Sequence, residues 1–301
     1  MFPIIPANSV AAVSGNDEGI FGYGSSSYPT PTDESNLVSN TGVVASDTTG
    51  VGTARRQLAA TQYGEDKGIF GFGSTGSVTA VSNLVSNSGV IGSDVSGVGT
   101  ARSHLAACSY GGDKGIFGYG ETDAAYVSMS NLVSNAGVVA TDVTGVGTAR
   151  NMVAACEYGS DKAIFGYGYA PSSSRSMTNL VSNAGVIASD TTGVGTARHG
   201  LAACSYGGDK GIFAYGSTGS KVATSNLVSN AGVVATDTTG VGTARITPAA
   251  CEYGGDKGIF GFGKGASMQS VTNLVSNAGV VATDTAGVGT ARGYLAACSF
   301  N

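Results

Sequence analysis

The chain has 301 residues, of which 42% are hydrophobic, and it carries a mildly acidic net charge of −5. This apolar content is enough for a packed core, so the 49 glycines do not indicate a disordered chain. Charged residues make up only 12% of the chain, and no apolar run approaches the roughly 18 residues that a transmembrane helix needs. We therefore expect no nucleic acid partner and no insertion into a membrane.

The first residues of the chain lack the basic start and the long apolar stretch of a secretory signal peptide. We predict that residues 1–16 form an extra strand or an arm. The sequence leaves the localisation of the protein open.

A segment of about 47 residues then recurs six times, with one arginine at the same position in each copy. A period of this length is typical of solenoids, propellers and arrays, so one pattern governs the whole chain and we treat residues 1–301 as a single domain. The repeat arginines are Arg55, Arg102, Arg150, Arg198, Arg245 and Arg292.

Each copy is predicted to contain four short strands, because glycines punctuate it and no helical period is present. In the copy that follows Arg102, the first strand is Leu105–Tyr110 and the second is Lys114–Gly120, joined by a Gly-Gly-Asp turn. The third strand ends in the sequence Asn-Leu-Val-Ser-Asn, and the fourth is Val138–Asp142.

The second strand indicates how the copies pack. In the segment 68–73, Phe70 and Phe72 share one face, and Gly71 and Gly73 lie on the other. Glycine inside a strand often marks the close approach of another chain segment. We therefore expect the aromatic rings of one sheet to lie over the glycines of the next.

Four-stranded sheets repeated in this way predict an all-β, six-bladed β-propeller, in which antiparallel strands form each blade. The first copy begins with a first strand that no repeat arginine precedes, and the last copy stops after its first strand. This offset favours a ring that is closed by pairing of the N- and C-terminal segments. We expect residues 295–301 to supply the closing strand, and the alternative, in which the segment from Val10 takes that place, stays open.

Five cysteines occupy one repeat position, six residues after the arginine, where another copy has Thr61. Substitution by threonine is typical of a small buried residue, so we predict free thiols in the core. No spacing of histidine and cysteine suits a metal, and we expect no metal and no cofactor. The cysteines are Cys108, Cys156, Cys204, Cys251 and Cys298.

The repeat resembles the kelch repeat, which places an arginine before an inner hydrophobic strand, a Gly-Gly turn and an aromatic-glycine second strand. Here these parts are Arg102, Leu105–Tyr110, Gly111-Gly112 and Ile116–Gly120. The near-identical copies are also similar to repeats in hypothetical proteins of bacterial and marine viruses. The kelch resemblance implies a propeller that binds partners on the face with the loops after the second and fourth strands, and residues after each arginine that ring its central mouth.

Two segments differ among the copies: the loop after the second strand, such as Ser25–Glu34, and the two residues after each arginine. In an up-and-down sheet both segments emerge at one end, so they predict a variable face opposite a face of unchanging turns. We predict partner-binding residues in both segments: Arg56, Gln57, His104, Asn151, Met152, His199, Thr247, Tyr294, Tyr28, Tyr126, Tyr169 and Arg175.

Repeat-fixed charges are predicted to link strands and blades. They are the six arginines together with Asp47, Asp94, Asp142, Asp190, Asp237 and Asp284. The alternative is that these groups bind sugars at six equivalent sites. No nucleophile–base spacing or unpaired carboxylate dyad is identified, so we do not expect an enzyme.

The sequence thus favours a recognition or attachment module, associated with a virion or a cell surface, that binds a protein or a glycan through its variable face. One alternative is a lectin with up to six equivalent glycan sites. The other is a purely structural decoration or spacer incorporated in a larger assembly.

Overall fold

The computed structural model describes residues 17–300. The predicted N-terminal arm or extra strand, residues 1–16, lies outside the described residues, as does Asn301. The described part of the chain is all-β, and it contains no helix that is long and apolar enough to cross a membrane.

Twenty strands form the described structure, and in most copies they follow the order predicted for the first three strands of the repeat. Numbered in chain order, they are β1 (Gly19–Ser27), β2 (Thr30–Val38), β3 (Ala59–Tyr63), β4 (Lys67–Gly71), β5 (Ser82–Val85), β6 (Ala106–Tyr110), β7 (Lys114–Gly118), β8 (Ser130–Val133), β9 (Ala154–Tyr158), β10 (Lys162–Gly166), β11 (Tyr169–Ala170), β12 (Ser173–Ser174), β13 (Thr178–Val181), β14 (Ala202–Tyr206), β15 (Lys210–Ala214), β16 (Ser225–Val228), β17 (Ala249–Tyr253), β18 (Lys257–Gly261), β19 (Thr272–Val275) and β20 (Ala296–Ser299).

These strands make six antiparallel sheets of three strands and one small hairpin, β11–β12. We number the sheets by copy: sheet 1 is β20-β1-β2, sheet 2 is β3-β4-β5, sheet 3 is β6-β7-β8, sheet 4 is β9-β10-β13, sheet 5 is β14-β15-β16 and sheet 6 is β17-β18-β19. In every sheet the second strand of the repeat lies in the middle and the first strand lies at one edge.

The prediction of a fourth strand over Val138–Asp142 is wrong. The chain there meets β8 at two isolated bridges, Val133 with Val139 and Ser130 with Val143, and at one backbone hydrogen bond of 2.8 Å from the N–H of Ala140 to the carbonyl of Leu132. Between them the side-chain amide of Asn131 donates a hydrogen bond of 2.9 Å to the carbonyl of Ala140. A side chain thus occupies an acceptor that a regular strand ladder would use, and the edge stays irregular.

Two of the predicted variable loops also contain strands. The segment Ser25–Glu34 was predicted to be a loop, but β1 and β2 extend through it as a hairpin in which Ser27 pairs with Thr30. In the fourth copy, the segment from Tyr169 to Met177 includes the hairpin β11–β12.

The C-terminal strand completes sheet 1. Residues Ala296–Ser299 pair with β1, from Gly19 opposite Ser299 to Gly22 opposite Ala296. This is the place that the first strand of the copy takes in the other five sheets. The pairing expected of the two terminal segments is therefore present.

Neighbouring sheets pack with aromatic rings over glycines, but the prediction that Phe70 and Phe72 share one face is wrong. Phe72 follows the end of β4 with a φ of 62°, so it contacts Phe117 of sheet 3, whereas Phe70 contacts Tyr23 of sheet 1. A Cβ atom added to Gly118 would lie 2.7 Å from the ring of Phe165 in the next sheet, and one added to Gly261 would lie 2.7 Å from the ring of Phe21. The prediction of aromatic rings over glycines is confirmed. The first strands also contact one another in a cyclic order: β3 with β6, β6 with β9, β9 with β14, β14 with β17, β17 with β20, and β20 with β3.

Candidate functional site

Both variable segments lie at the same end of the sheets. Isolated bridges join the first variable residue after a repeat arginine to the first residue of the following loop, as in Ser103 with Glu121 and Asn151 with Tyr169. The remaining copies repeat this contact with the pairs Arg56 and Ser74, His199 and Ser217, Ile246 and Lys264, and Gly293 and Ser25. The variable residues predicted to share one face therefore do so.

The second variable residue of each copy belongs to a cycle of backbone hydrogen bonds. Each N–H donates to the carbonyl of the equivalent residue in the preceding copy, over N···O distances of 2.6–3.2 Å, and the cycle closes when Gln57 donates to Tyr294. All six residues have a φ between 50° and 64°. They line a cavity of 70 Å³, which we call the mouth. The six residues are Gln57, His104, Met152, Gly200, Thr247 and Tyr294.

Aromatic side chains gather on one side of the mouth. The ring centroids of Tyr28 and Tyr294 are 5.2 Å apart, and those of His104 and Tyr294 are 6.2 Å apart. The guanidinium of Arg56 lies 4.9 Å from the centre of the Tyr28 ring and donates a hydrogen bond to the carbonyl of Pro29. Tyr28 is 50% exposed, so this cluster presents an aromatic surface to solvent.

His104 is held by a carboxylate that the sequence analysis did not single out. Its Nδ1 lies 2.7 Å from Oε1 of Glu121, and Nδ2 of Asn151 donates to Oε2 of Glu121 over 2.6 Å. Burial would raise the pKa of Glu121, but the hydrogen bonds and charge of its partners outweigh burial and lower it. Glu121 occupies the first position of a variable loop, and that position was the signal that could have identified it.

A second aromatic group surrounds His199. Its Nδ1 lies 2.9 Å from the hydroxyl of Ser174, and its ring centroid lies 5.2 Å from that of Tyr169, which is 6.4 Å from Tyr126. Burial, with a smaller contribution from the charge of His104, lowers the pKa of His199. The imidazole of His199 is therefore neutral at pH 7.

A groove beside Tyr126 adds apolar surface to the variable face. It has a volume of 560 Å³ and is lined by Ala124, Ala125, Tyr126, Thr148, Ala149 and Pro171. Arg175, in the neighbouring loop, donates a hydrogen bond of 2.6 Å to the hydroxyl of Ser173. The predicted residues Met152 and Thr247 line the mouth instead.

The repeat arginines are 0% exposed and bridge neighbouring sheets. The guanidinium of Arg150 lies 4.2 Å from the centre of the Tyr119 ring in the preceding sheet. It also donates to the carbonyl of Tyr167 over 2.8 Å and to Oδ1 of Asn179 over 2.6 Å, both in its own sheet. An arginine without exposed surface has no access to a dissolved ligand.

The repeat aspartates accept hydrogen bonds within the same network. Oδ1 of Asp142 accepts from Asn131 over 2.9 Å, and Oδ2 accepts from the Thr100 hydroxyl over 2.6 Å. Burial would raise the pKa of Asp142, but these bonds and the charge of Arg102 lower it. Asp47, Asp94, Asp190, Asp237 and Asp284 accept equivalent bonds from threonine and asparagine. Their carboxylates are thus committed to internal partners.

All five cysteines are free and buried, which confirms that prediction. Four of the five pack against glycines of the adjacent sheet, so that a Cβ added to Gly211 would lie 2.4 Å from Sγ of Cys156. Burial raises the pKa of Cys156 to about 12. These thiols are therefore protonated and unreactive at neutral pH.

The sequence analysis missed a ring of polar residues that immediately follow the cysteine position. They line a cavity of 70 Å³, bounded by the first strands of all six sheets, which we call the strand cavity. Their identity varies among copies although the flanking residues vary only at Thr61 and Phe300, and this variation was the available signal. They are Gln62, Ser109, Glu157, Ser205, Glu252 and Ser299.

Within residues 17–300, no three side chains of histidine, cysteine, aspartate or glutamate are arranged so that they could hold a metal ion. A scan against models of protein families found no matching family, and a search of curated proteins found no match. What the protein does must therefore be argued from its surfaces and cavities.

Proposed function

We propose that the six sheets are the blades of a closed, kelch-like, six-bladed β-propeller, and that this propeller is a non-enzymatic recognition module. Its variable face binds a protein or a glycan, and the module is associated with a virion or a cell surface.

The ring is supported by two cyclic sets of contacts. The first strands contact one another in an order that returns from β20 to β3. The backbone hydrogen bonds at the mouth return from Gln57 to Tyr294 in the same order. An open solenoid would leave one end of each set without a neighbour.

Recognition through the variable face rests mainly on one observation: the residues that differ among copies include an aromatic cluster beside the mouth, in which Tyr28 is exposed and Tyr294 is partly exposed. The ring centroid of Tyr294 lies 5.2 Å from that of Tyr28 and 6.2 Å from that of His104, and Arg56 covers the ring of Tyr28. Tyrosine and arginine are enriched among the residues that dominate binding energy in protein interfaces, and a rigid tyrosine ring loses little entropy on binding.

A lectin with six equivalent sites is the weaker candidate. Such sites would use the repeat arginines and aspartates, but the arginines are 0% exposed and the aspartates bond to threonine and asparagine. A glycan ligand would therefore have to bind the variable face, where tyrosine rings provide flat surfaces for a sugar.

The proposal is tested with two matched variants, each of which changes two side chains that are at least partly exposed. Tyr28→Ala with Tyr126→Ala alters the variable face, and Lys114→Ala with Lys162→Ala alters the turns on the opposite face. Binding is measured by quantitative affinity mass spectrometry on virion and cell-surface fractions and on a glycan array. We expect ligands of the wild type to be lost from the tyrosine variant and kept by the lysine variant.

The opposite pattern, with ligands lost only from the lysine variant, would contradict recognition through the variable face. Loss only after substitution of a repeat aspartate, such as Asp142→Asn, would favour the six-site lectin. Equal retention by every variant would exclude the aromatic cluster as the binding surface.

A further inference from the structure

The mouth carries side chains at positions whose backbone conformation favours glycine. Its six residues have φ between 50° and 64°, in the left-handed region, and Gly200 shows that one copy does use glycine there. The other five copies keep larger residues in a conformation that is strained for them, and Thr247 is even β-branched. Strained residues of this kind cluster at binding and catalytic sites, which makes the mouth a candidate for ligand binding.

His104 has a ring nitrogen without a partner. Its side chain is 11% exposed, and its Nε2 is buried and has no hydrogen-bond partner among residues 17–300. The other nitrogen, Nδ1, lies 2.7 Å from Oε1 of Glu121. Because a carboxylate only accepts hydrogen bonds, Nδ1 carries a proton, and whenever the ring is neutral Nε2 is an acceptor. A buried acceptor of this kind is costly until a donor reaches it.

The charged groups near His104 are engaged by internal partners. The two carboxylate oxygens of Glu121 are bonded to His104 and to the side-chain amide of Asn151. The guanidinium of Arg56 lies 4.9 Å from the centre of the Tyr28 ring and donates to a backbone carbonyl. These charges are committed within the protein, so the surroundings of His104 favour a neutral ligand that carries hydroxyl groups over an ion.

Two tyrosine rings extend from His104 towards solvent. The ring centroid of Tyr294 lies 6.2 Å from that of His104 and 5.2 Å from that of Tyr28, and the planes of the two tyrosine rings are inclined by 40°. Tyr28 is 50% exposed and Tyr294 is partly exposed. A pyranose ring has apolar C–H faces and hydroxyl groups at its edge, so it can pack against such rings and donate to a neighbouring acceptor.

We propose that the rim of the mouth is a single carbohydrate site, in which a neutral pyranose packs against Tyr28 and Tyr294 and one of its hydroxyls donates to Nε2 of His104. The inference rests on the proposed recognition function and names a glycan as its ligand. The site occurs once, because these three residues belong to the variable segments and differ in the other copies.

The size of the mouth limits what enters it. A cavity of 70 Å³ has room for a hydroxymethyl group or a pair of water molecules but not for a pyranose ring, so the ring lies on the tyrosines at the rim. Nε2 of His104 has almost no exposed surface in this conformation. Binding therefore requires a movement of the neighbouring, partly exposed Tyr294 side chain.

Sugar binding is measured on the full chain with a glycan array and by saturation-transfer NMR. The free sugars are D-galactose, D-glucose, D-mannose, L-fucose and N-acetyl-D-glucosamine. Wild-type protein is compared with Tyr28→Ala and His104→Met, and Met152 at the equivalent position of the next copy shows that methionine fits this backbone. Lys114→Ala, on the opposite face, is the control, and thermal melting checks that every variant is folded.

A ¹⁵N–¹H spectrum of the imidazole groups reports on the acceptor itself. The chain has only two histidines, so the signals that disappear in His104→Met belong to His104. We expect a saturating sugar to shift the Nε2 signal of His104 and to leave the nitrogens of His199 unchanged. An unchanged Nε2 signal in the sugar-bound protein would overturn the inference.

We expect the wild type and Lys114→Ala to bind at least one of these sugars with a dissociation constant of about 1–10 mM, the range for a ligand of about 12 non-hydrogen atoms. Tyr28→Ala and His104→Met should bind it about tenfold more weakly or not at all. Sugar binding that both folded variants retain would overturn the inference. So would absence of binding by the wild type on the array and in solution, but protein ligands lost with the variable-face tyrosines would then still support the proposed recognition function.

Discussion

Nη2 of Arg292 donates a hydrogen bond of 2.5 Å to Oδ1 of Asn36, although the two residues are 256 positions apart. The last repeat arginine is thus bonded into the first sheet, and its Nε donates to the carbonyl of Tyr23 in the same sheet. The guanidinium also lies 4.4 Å from the centre of the Phe262 ring in sheet 6. One buried side chain therefore joins the first sheet to the sixth.

Removal of the C-terminal strand should greatly destabilise the protein. Deletion of Leu295–Asn301 eliminates β20, and with it the pairing to β1 and the contacts to β3 and β17. We expect the melting temperature to fall by about 10 °C or more, since each kcal/mol lost shifts it by roughly 2–4 °C in a chain of this size. Differential scanning calorimetry measures the change.

Deletion of Met1–Ile5 is the control for this truncation, and we expect a much smaller shift from it. Equally small shifts for the two deletions would contradict closure by the C-terminal strand. A larger shift for the N-terminal deletion would favour the alternative in which the N-terminal segment supplies that strand.

The repeat arginines should contribute strongly to stability. Arg102 is 0% exposed, lies 4.3 Å from the centre of the Phe72 ring and donates to the carbonyl of Tyr119 over 2.9 Å. Arg102→Met should lower the free energy of unfolding by about 3 kcal/mol or more, because buried acceptors lose their donor. Urea denaturation measures this free energy of unfolding. Arg175→Met is the control, with an expected loss of under about 1 kcal/mol. Equal losses of stability in the two variants would show that the repeat arginine contributes no more than a surface arginine.

Much of this architecture was predictable because the repeat pattern reflects local chemistry. Alternation of phenylalanine and glycine predicted both the second strand and its packing, and the structure places the Phe165 ring against Gly118. The fourth strand could not be predicted in the same way. Whether Asn131 bonds to the carbonyl of Ala140 depends on a side-chain contact nine residues away, which periodicity does not encode.

The candidate sites, like the fold, could be predicted only in part from the sequence. The variable segments could be placed on one face from strand order alone, since connections at one end of an up-and-down sheet emerge together. The partner of His104 could not be predicted from the sequence, because Glu121 is 17 residues away and contacts the histidine only as a result of the loop conformation. The position of Glu252 also needed the structure, since the cavity that encloses it is bounded by six different sheets.

A glycine on the middle strand should tolerate alanine but not a larger side chain. Sheet 5 already has Ala214 at the position of Gly118, and there the ring centroids of Tyr215 and Phe260 are 5.4 Å apart, compared with 5.2 Å for Tyr119 and Phe165. A small ring displacement thus accommodates one methyl group. We expect Gly118→Ala to cost about 1 kcal/mol or less and Gly118→Val about 2–3 kcal/mol in urea denaturation. A tolerated valine would contradict the tight packing between sheets.

The stability of the protein should depend on pH through Glu252. Burial raises its pKa to about 8 in the folded chain, compared with 4.5 for the unperturbed group. Between pH 4.5 and pH 8 the folded state therefore holds a proton that the unfolded state has lost. The stabilising contribution is therefore complete below about pH 4.5 and disappears as pH rises to 8, at up to about 1.4 kcal/mol per pH unit. Glu252→Gln stays neutral and should remove this slope.

Urea denaturation of the wild type and Glu252→Gln at intervals from pH 5 to pH 9, without added divalent cations, measures the difference. We expect the variant to be more stable than the wild type at pH 9 by a few kcal/mol, and the gap to shrink towards pH 5. Asp123→Asn should follow the wild type throughout, because its side chain is exposed and is not among the residues that line the cavity. Parallel profiles for the wild type and Glu252→Gln would mean that the Glu252 carboxyl group ionises at its ordinary pKa in the folded protein.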